Sequence, residues 1–485
     1  MRARGRRIAD IFTVVLVTSL ALQTMTLAVL VLFPYLQDPG LADANSTVYI
    51  LLAPLSTIFL LGLLYSWLIV IGAKIARPRS VKVDLLIRFL SEPFHNVVST
   101  IKAVSLSDSA RNLRLLSSPR LLLGAAVLVS ILIVLIPYRP DLNPTANLVG
   151  VDSPLYAGWI SQMLLRPTAQ ALQYSFVEGL EGSRPLLLLL IYPIALAGAS
   201  ASQVIEYLPV LLAPLLSLST YIFVRYGYGS PHLAALTSLF TPISFYTTVG
   251  LWGGYYANWL GLSFAYLFMT CLLLFSKTPS RLNLAAMFSA SFALFLAHPW
   301  TWVLVVTVSL VFAISLWRET RNRIQLESVI GIILTGIIVD FLKSFVFTTR
   351  TVAADIATKS PSGIGSLHGF WNNLVLALLY THGGFLGNWV ILGLGLLAVL
   401  ALRYRERFER LLMLWIAVPS VPFAIMDSYH QARIVYDLPI PVLMSIAVLF
   451  LSKTIRPRLL RWHGILIGLI VLIIANYALQ GMLLI

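Results

Sequence analysis

The sequence has only one cysteine among its 485 residues, Cys271, which lies inside an apolar run. A single thiol excludes a disulfide within the chain, a cysteine metal cluster, and a cysteine nucleophile with a resolving partner. The sequence also has no His-Glu-x-x-His motif, no Gly-x-Ser-x-Gly motif, no P-loop and no Asp-rich metal motif. Zinc proteases, α/β-hydrolases and P-loop nucleotidases therefore lose support, because their sequence signatures are missing.

Charged residues are scarce, at 11% of the chain, while hydrophobic residues make up 59% and the mean hydropathy is +0.88. Apolar runs of about 20 residues recur along the whole chain, which is the length that crosses a bilayer as a helix. The runs are continuously apolar instead of alternating at period two, which disfavours a transmembrane barrel. The sequence therefore predicts an all-α polytopic membrane protein without a soluble domain.

Acidic residues number 19 against 34 Lys and Arg residues, so the formal net charge is +15. In a soluble chain this excess would indicate a nucleic-acid partner, but here the basic residues cluster in short loops between apolar runs. Such clusters are typical of loops on the cytoplasmic side of a membrane. We therefore predict membrane lipids and not nucleic acid as partners. Few acidic residues lie within the apolar runs, which weakens the case for an ion-coupled transporter.

The first part of the chain, 1–119, has the pattern of two membrane helices and a basic linker. Apolar runs cover 8–33 and 48–73, and the segment rich in Lys and Arg that follows predicts a cytoplasmic linker. The basic N-terminus before a long apolar run indicates a retained signal anchor with its N-terminus in the cytoplasm. We expect the protein to lie in the plasma membrane of a prokaryote.

The second part of the chain, 120–485, is predicted to be one long transmembrane module. Its first apolar run, at 120–137, leads outward to an external loop at 138–184. Within this loop the spacing of apolar residues predicts a short helix at 154–165 that lies along the outer interface.

Six apolar runs follow the loop, at 185–200, 204–224, 231–249, 254–276, 282–298 and 300–317. Six full crossings that start outside would end outside, yet Arg318, Arg321 and Arg323 should be cytoplasmic. One of the six runs is therefore re-entrant, broken or interfacial. Later runs lie at 326–347, 386–402, 411–425 and 438–452, and a last one ends at 485. We predict about thirteen crossings, with the C-terminus outside.

Polar residues collect on the predicted outer side. They come from the 138–184 loop, from His298 at a helix end, from the segment 348–385, and from the loop at 427–437. A charge inside the bilayer costs at least about 3 kcal/mol, so polar residues gathered at one membrane face indicate a site. Carboxylates, histidines and arginines together suit the handling of an anionic lipid headgroup and the movement of a proton.

Each of these residues also has a structural interpretation. Asp152 precedes Ser153 and Pro154, so its side chain fits the N-cap of the interfacial helix. His298 fits a helix end, and Arg433 fits an anchor at the level of the lipid headgroups.

Two further groups have patterns typical of structural roles. Asp340 and Lys343 stand three residues apart on one helix face, which indicates an ion pair. Trp252, Tyr255 and Tyr256 are typical of an aromatic belt at the membrane interface.

Three stretches of the second part carry a family pattern. The first is the outward helix with the loop that contains Asp152 and Tyr156. The second runs from Arg184-Pro through two apolar runs to an arginine and glycine, and the third is His430-Gln-Ala-Arg433-Ile-Val-Tyr-Asp-Leu-Pro. Together they resemble the GT-C superfamily of membrane glycosyltransferases. The chain departs from that family in its two extra N-terminal helices, its lack of a large C-terminal domain, and its single acid at the core of the loop.

The resemblance implies transfer of a sugar from a polyprenyl-phosphate-linked donor to a protein, glycan or lipid acceptor at the outer face, with inversion. It implies that Asp152 is the general base and that Arg433 and His430 bind the donor phosphate. No metal ligand is assigned, and the single acid at the core of the loop leaves dependence on a divalent metal open. Further candidates for substrate binding are Tyr156, Arg184, Tyr255, His298 and Tyr436.

Two other interpretations stay open. A lipid or polysaccharide flippase should have two pseudo-symmetric helix bundles and polar residues at mid-membrane depth. A non-catalytic membrane subunit of a surface-assembly complex should have no deep cavity.

Overall fold

The computed structural model describes residues 118–347, 349–352, 354, 389–404, 406–423, 428–454 and 463–485. All regular structure within these residues is helical, and no strand occurs among them. Six of the helices are long and apolar enough to cross a membrane. The described part of the chain is therefore an all-α membrane protein, as predicted. The two predicted N-terminal helices and the outer segment from 355 to 385 lie outside the described residues.

The helices, numbered in chain order, are α1 Pro119–Leu135, α2 Ser153–Leu164, α3 Thr168–Val177, α4 Pro185–Leu196, α5 Ala201–Tyr228, α6 Pro231–Phe240, α7 Phe245–Gly253, α8 Tyr256–Lys277, α9 Arg281–Ala297, α10 Pro299–Thr320, α11 Ile324–Phe347, α12 Trp389–Ala401, α13 Arg407–Phe423, α14 Ser428–Tyr436, α15 Ile440–Thr454 and α16 His463–Leu484. Short 3₁₀ turns extend α1 through Ile136–Tyr138 and follow α3 at Gly179–Gly182. The interfacial helix predicted at 154–165 corresponds to α2, whereas α3 was not predicted.

The helix α4 explains why six predicted crossings do not fit the charge pattern. It has 12 residues and is therefore about 18 Å long, too short for a hydrocarbon core of about 30 Å. It ends at Leu196 because Gly198, with φ 109°, breaks the helix, and Ser200 then caps α5. If α4 does not cross and the 17-residue α9 does, five crossings separate the loop from Arg318. The total of thirteen crossings and the side that the loop faces stay predictions.

Basic residues from several helices meet at one end of the bundle, which we call the basic end. Lys277 Nζ donates to the carbonyl oxygen of Tyr226 at 3.0 Å, which joins the ends of α8 and α5. Arg410 in α13 forms a 2.6 Å ion pair with Glu319 near the end of α10. The second contact lies at helix ends that the sequence predicts to be cytoplasmic.

The apolar run at 231–249 forms two helices instead of one. Pro242 lies in the break between α6 and α7, and proline removes a backbone donor and disfavours a continuous helix. Thr237 in α6 donates a 2.7 Å hydrogen bond to Ser445 in α15, and Ser217 pairs with Ser238 at 2.8 Å. Such bonds between hydroxyl groups join helices where the surroundings are apolar. This broken span is the most buried of the six.

The predicted ion pair of α11 is present, with Lys343 Nζ 3.8 Å from Asp340 Oδ1. Both side chains are buried and bind backbone groups as well. Lys343 Nζ donates to the Gly182 carbonyl at 3.2 Å, and Asp340 Oδ2 accepts the Val352 N–H at 2.8 Å. The pair therefore connects the end of α11 to the turn after α3, at the end of the bundle opposite the basic end. We call that opposite end the loop end.

Candidate active site

The segment before α2 is held against the turn between α7 and α8 by backbone hydrogen bonds. The N–H group of Val151 donates to the Trp252 carbonyl at 2.9 Å, and that of Asp152 donates to the Gly253 carbonyl at 3.2 Å. These bonds join two parts of the chain about 100 residues apart. The position of Asp152 at the loop end is therefore set by tertiary contact and not by the helix that follows it.

Two glycines permit this close approach. Gly150 has φ 100° and Gly254 has φ 68°, in the left-handed region that favours glycine. A Cβ atom at Gly150 would lie 2.5 Å from the Leu251 carbonyl oxygen, and one at Gly254 would lie 3.0 Å from the Asp152 nitrogen. A side chain at either position would push the two backbones apart.

A buried tyrosine, Tyr256, also contacts the segment before α2. The Ser153 hydroxyl donates to the Val149 carbonyl at 2.5 Å and lies 2.9 Å from the Tyr256 hydroxyl. Tyr256 is fully buried. The prediction that it belongs to an aromatic belt is therefore wrong, because it packs inward against the segment that carries Asp152.

The Asp152 carboxylate does not cap α2. The residue stands at the N-cap position, but its φ of −87° and ψ of −7° are helical and its side chain accepts no capping hydrogen bond. An N-cap side chain normally requires an extended backbone at that residue. The capping interpretation is therefore wrong for this side chain. The partly exposed carboxylate makes no capping hydrogen bond to α2.

Two arginines from distant parts of the chain lie near this carboxylate. Burial raises the pKa of Asp152, and the positive charges of Arg433 and Arg184 act against that rise. Arg184 immediately precedes α4, and Arg433 lies in α14. The Arg433 guanidinium stacks over the Tyr255 ring, with its Cζ atom 4.3 Å from the ring centroid. Stacking of this kind holds a guanidinium plane in one orientation.

His298 lies beside the same two charges, between α9 and α10. Its Nδ1 accepts the Thr301 N–H at 3.2 Å, so His298 caps α10 as its structural interpretation predicts. Burial lowers the pKa of the imidazole well below its ordinary value, and the charges of Arg184 and Arg433 lower it further. The ring is therefore neutral at ordinary pH.

Asp437 belongs to this cluster, although the sequence gives it no predicted role. Its Oδ2 lies 2.9 Å from the Thr301 hydroxyl oxygen, and its carbonyl oxygen accepts the Trp415 indole N–H at 3.1 Å. The carboxylate is buried, and Arg433 and Arg184 both act on it electrostatically. Its partner Thr301 lies 136 residues away in sequence, so no local pattern marks the contact.

Two predicted substrate ligands have their polar atoms directed into the protein. Tyr156 is buried in α2, and its hydroxyl accepts the Ala257 N–H at 3.4 Å. The Tyr436 hydroxyl donates to the Tyr246 carbonyl at 2.5 Å and accepts the Trp259 indole N–H. Their structural contacts join α2 and α14 to the α7–α8 region, and their binding roles stay predictions.

His430 lies one turn before Arg433 in α14. Its ring packs on Trp300, with the ring centroids 5.1 Å apart. Trp300 is the residue before Thr301, so His430 is next to the cluster that contains His298. A role for His430 in phosphate binding stays a prediction.

The packing around Tyr436 gives a test of this region. A Cβ atom at Gly250 would overlap the Trp259 indole nitrogen and the Tyr436 hydroxyl. Because both side chains are fully buried, we expect Gly250→Ala to destabilise the protein by about 1–3 kcal/mol through overpacking. Thermal unfolding in detergent, followed by tryptophan fluorescence, measures the change.

Gly124→Ala in α1 is the matched control, since a Cβ atom there would meet nothing within 4 Å. The control should be as stable as the wild type or slightly more stable, because alanine favours a helix over glycine. Equal melting temperatures for the two variants would contradict the packing described around Tyr436.

Among the described residues, no group of three His, Cys, Asp or Glu side chains is arranged to hold a metal ion. The two carboxylates of the cluster, from Asp152 and Asp437, each have Arg184 and Arg433 nearby. A pair of guanidinium groups suits an anionic ligand better than a divalent cation.

The comparisons with known proteins include a likeness to a solved structure. No protein-family model matches the sequence, and no curated protein matches it. Among solved structures, the chain is similar to the apo crystal structure of the Archaeoglobus fulgidus oligosaccharyltransferase, with a TM-score of 0.49 and 13% sequence identity. The match covers 75% of this chain and 55% of that one, so the chain spans about half the length of this neighbour.

Proposed function

We propose that this protein is a GT-C-type glycosyltransferase. It moves a sugar from a polyprenyl-phosphate-linked donor to an acceptor hydroxyl at the outer membrane face, with inversion at the anomeric carbon. The observation that carries the proposal is the Asp152 carboxylate, which is partly exposed, does not cap its helix, and lies near two guanidinium groups. The sequence resemblance to the GT-C superfamily independently assigns the base to the same residue.

The proposed base is Asp152. As the acceptor atom attacks the anomeric carbon, its proton passes to the Asp152 carboxylate, and the bond between the carbon and the phosphate oxygen breaks. General-base assistance of this kind contributes about 10²–10⁴-fold. Burial raises the pKa of Asp152, which makes its ionised form a stronger base than an exposed aspartate. It has only to collect the proton late in attack on a carbon with oxocarbenium character.

The proposed ligands of the leaving group are Arg433 and Arg184. The polyprenyl phosphate gains negative charge as its bond to the sugar breaks, and a guanidinium group can donate two parallel hydrogen bonds to phosphate oxygens. Stacking on Tyr255 fixes the plane of the Arg433 guanidinium before the donor binds. No strong general acid is needed, because a phosphate is already a good leaving group.

The pH dependence of transfer follows from the charges around the base. Activity should fall as the pH falls through the raised pKa of Asp152, because only the ionised carboxylate accepts a proton. The charge of Arg433 lowers that pKa, so Arg433→Gln should raise it and move the acidic limb of kcat/KM to higher pH. Arg184→Gln should move the limb in the same direction. Profiles that coincide with the wild type in both variants would show that another group titrates.

The proposed function is tested with purified protein in proteoliposomes and a panel of radiolabelled polyprenyl-phosphate sugars. The expected result is consumption of one donor, release of polyprenyl phosphate, and a product of inverted anomeric configuration. Transport of an intact donor across the bilayer, without release of polyprenyl phosphate, would support the flippase instead. Neither release nor transport with any donor would favour the non-catalytic subunit.

A further inference from the structure

A continuous chain of buried polar groups connects His298 to α14. The Thr301 hydroxyl oxygen is 2.7 Å from His298 Nδ1 and 2.9 Å from Asp437 Oδ2. All three side chains are buried, with exposed fractions of 1% for His298, 0% for Thr301 and 5% for Asp437. The chain therefore crosses from the start of α10 to the turn after α14 without contact with solvent.

A capping role for His298 does not explain this arrangement. Capping requires only that Nδ1 accept the Thr301 N–H, which it does at 3.2 Å. It does not require a carboxylate behind the threonine, and burial of a carboxylate among apolar helices is costly. The Asn258 amide also faces the Asp437 carboxylate. Capping of one helix therefore does not account for the free-energy cost of burying Asp437.

The protonation of the His298 ring decides what its other nitrogen can donate or accept. Because the Thr301 N–H donates to Nδ1, that nitrogen carries a lone pair and the proton of the neutral ring is on Nε2. The Thr301 hydroxyl then donates its single proton to Nδ1 across the 2.7 Å contact, and a protonated Asp437 donates to the hydroxyl oxygen across the 2.9 Å contact. Nε2 is buried and has no hydrogen-bond partner in the part of the chain that the structure describes. Buried donors are rarely left without a partner unless a ligand or water supplies one. Arg184 and Arg433 both act on the ring electrostatically.

We propose that Asp437 and Thr301 are positioning residues that hold His298 so that its Nε2–H donates to a phosphate oxygen of the lipid-linked donor. This inference rests on the proposed function, because the donor phosphate is the group that Arg184 and Arg433 would bind. The Nε2–H bond strengthens as the leaving phosphate gains charge, and no proton is transferred through the ring.

Two substitutions at Thr301 separate the hydroxyl group from the packing of the side chain. Thr301→Val keeps the volume and the branch but removes the hydroxyl, whereas Thr301→Ser keeps the hydroxyl and removes the methyl group. For Thr301→Val we expect kcat/KM for the donor to fall about 10-fold to 100-fold, with a raised KM for the donor and an unchanged KM for the acceptor. Thr301→Ser should restore donor use almost to that of the wild type.

A role in packing alone predicts the opposite order, because serine leaves a cavity in the buried site and valine does not. A role of the hydroxyl in stability alone predicts a lower melting temperature for Thr301→Val without a selective rise in the KM for the donor. Thr307→Val is the control: Thr307 is exposed on the same helix and bonds only to the Val303 carbonyl, at 2.7 Å. Its kinetics should match those of the wild type. Melting temperatures of all variants show whether each one folds.

The outcomes distinguish this inference from the function on which it rests. Suppose that the wild type turns over a donor. If Thr301→Val leaves that turnover unchanged, or if Thr301→Ser impairs it more than Thr301→Val does, the positioning role is overturned and the glycosyltransferase function is not. Absence of turnover by the wild type with every donor overturns both.

Discussion

Substitution of Asp152 by Asn is expected to lower sugar transfer by at least about 100-fold while the protein stays folded. Asparagine has the size of aspartate but cannot accept the acceptor's proton. The backbone N–H of residue 152 still donates to the Gly253 carbonyl, so the segment should keep its place. Turnover of the radiolabelled donor in proteoliposomes, together with binding of the same donor, measures the change. We expect donor binding to survive, because the base acts on the acceptor.

Asp141→Asn is the matched control for this variant. Asp141 lies in the same loop, is exposed, and pairs with Arg139 at 2.5 Å. Exposed ion pairs contribute little, so the control should transfer sugar like the wild type. Equal turnover by the Asp152→Asn variant and the wild type would eliminate Asp152 as the base.

Substitution of Arg433 by Ala should lower kcat/KM for the donor by about 10²–10³-fold, because a group that stabilises the leaving phosphate is lost. Arg433→Lys should lose less, since lysine keeps the charge but not the two parallel donors or the flat stacking surface. The difference between the two variants measures the part of donor recognition that depends on the geometry held by Tyr255. Initial rates at several donor concentrations separate kcat from KM.

Arg166 provides a control for the stacking itself. Its guanidinium lies over the Tyr174 ring, with Cζ 4.2 Å from the centroid, in the segment 138–184. Arg166→Ala removes a comparable stacked cation outside the proposed site, so donor use should be unchanged. Equal losses in Arg433→Ala and Arg433→Lys would contradict contact with the phosphate through two hydrogen bonds.

The membrane class and most helices could be predicted because their signals are local. The length of an apolar run can be read from the sequence without knowledge of the fold. Proline in the first turn likewise marks the start of α1, α2, α4, α6 and α10. The short length of α4 was also readable in principle. Gly198 and the capping box formed by Ser200 and Gln203 separate α4 from α5. The apolar run at 185–200 is bounded by hydrophobicity alone, and its length therefore hides the early end of α4.

The contacts that assemble the candidate site could not be predicted in the same way. Whether Asp152 caps its helix depends on a backbone conformation that is set by docking against Trp252 and Gly253. Tyr256 has the composition of an interfacial aromatic residue, but its hydroxyl is used inside the protein. Asp437 joins the cluster through Thr301, and that contact exists only in the folded chain.

The central claim is that Asp152 and Arg433 belong to one proposed site at the outer face. Cysteines that replace Asp152, Arg433 or Arg323 one at a time, in a Cys271→Ala background, can be labelled in intact cells with an impermeant maleimide. Residues 152 and 433 are partly exposed, and Arg323 is exposed in the turn between α10 and α11 on the predicted cytoplasmic side. We predict that cysteines 152 and 433 react from outside and are protected by the lipid-linked donor, and that cysteine 323 reacts only after permeabilisation. Labelling of cysteines 152 and 433 from opposite sides of the membrane would contradict the account.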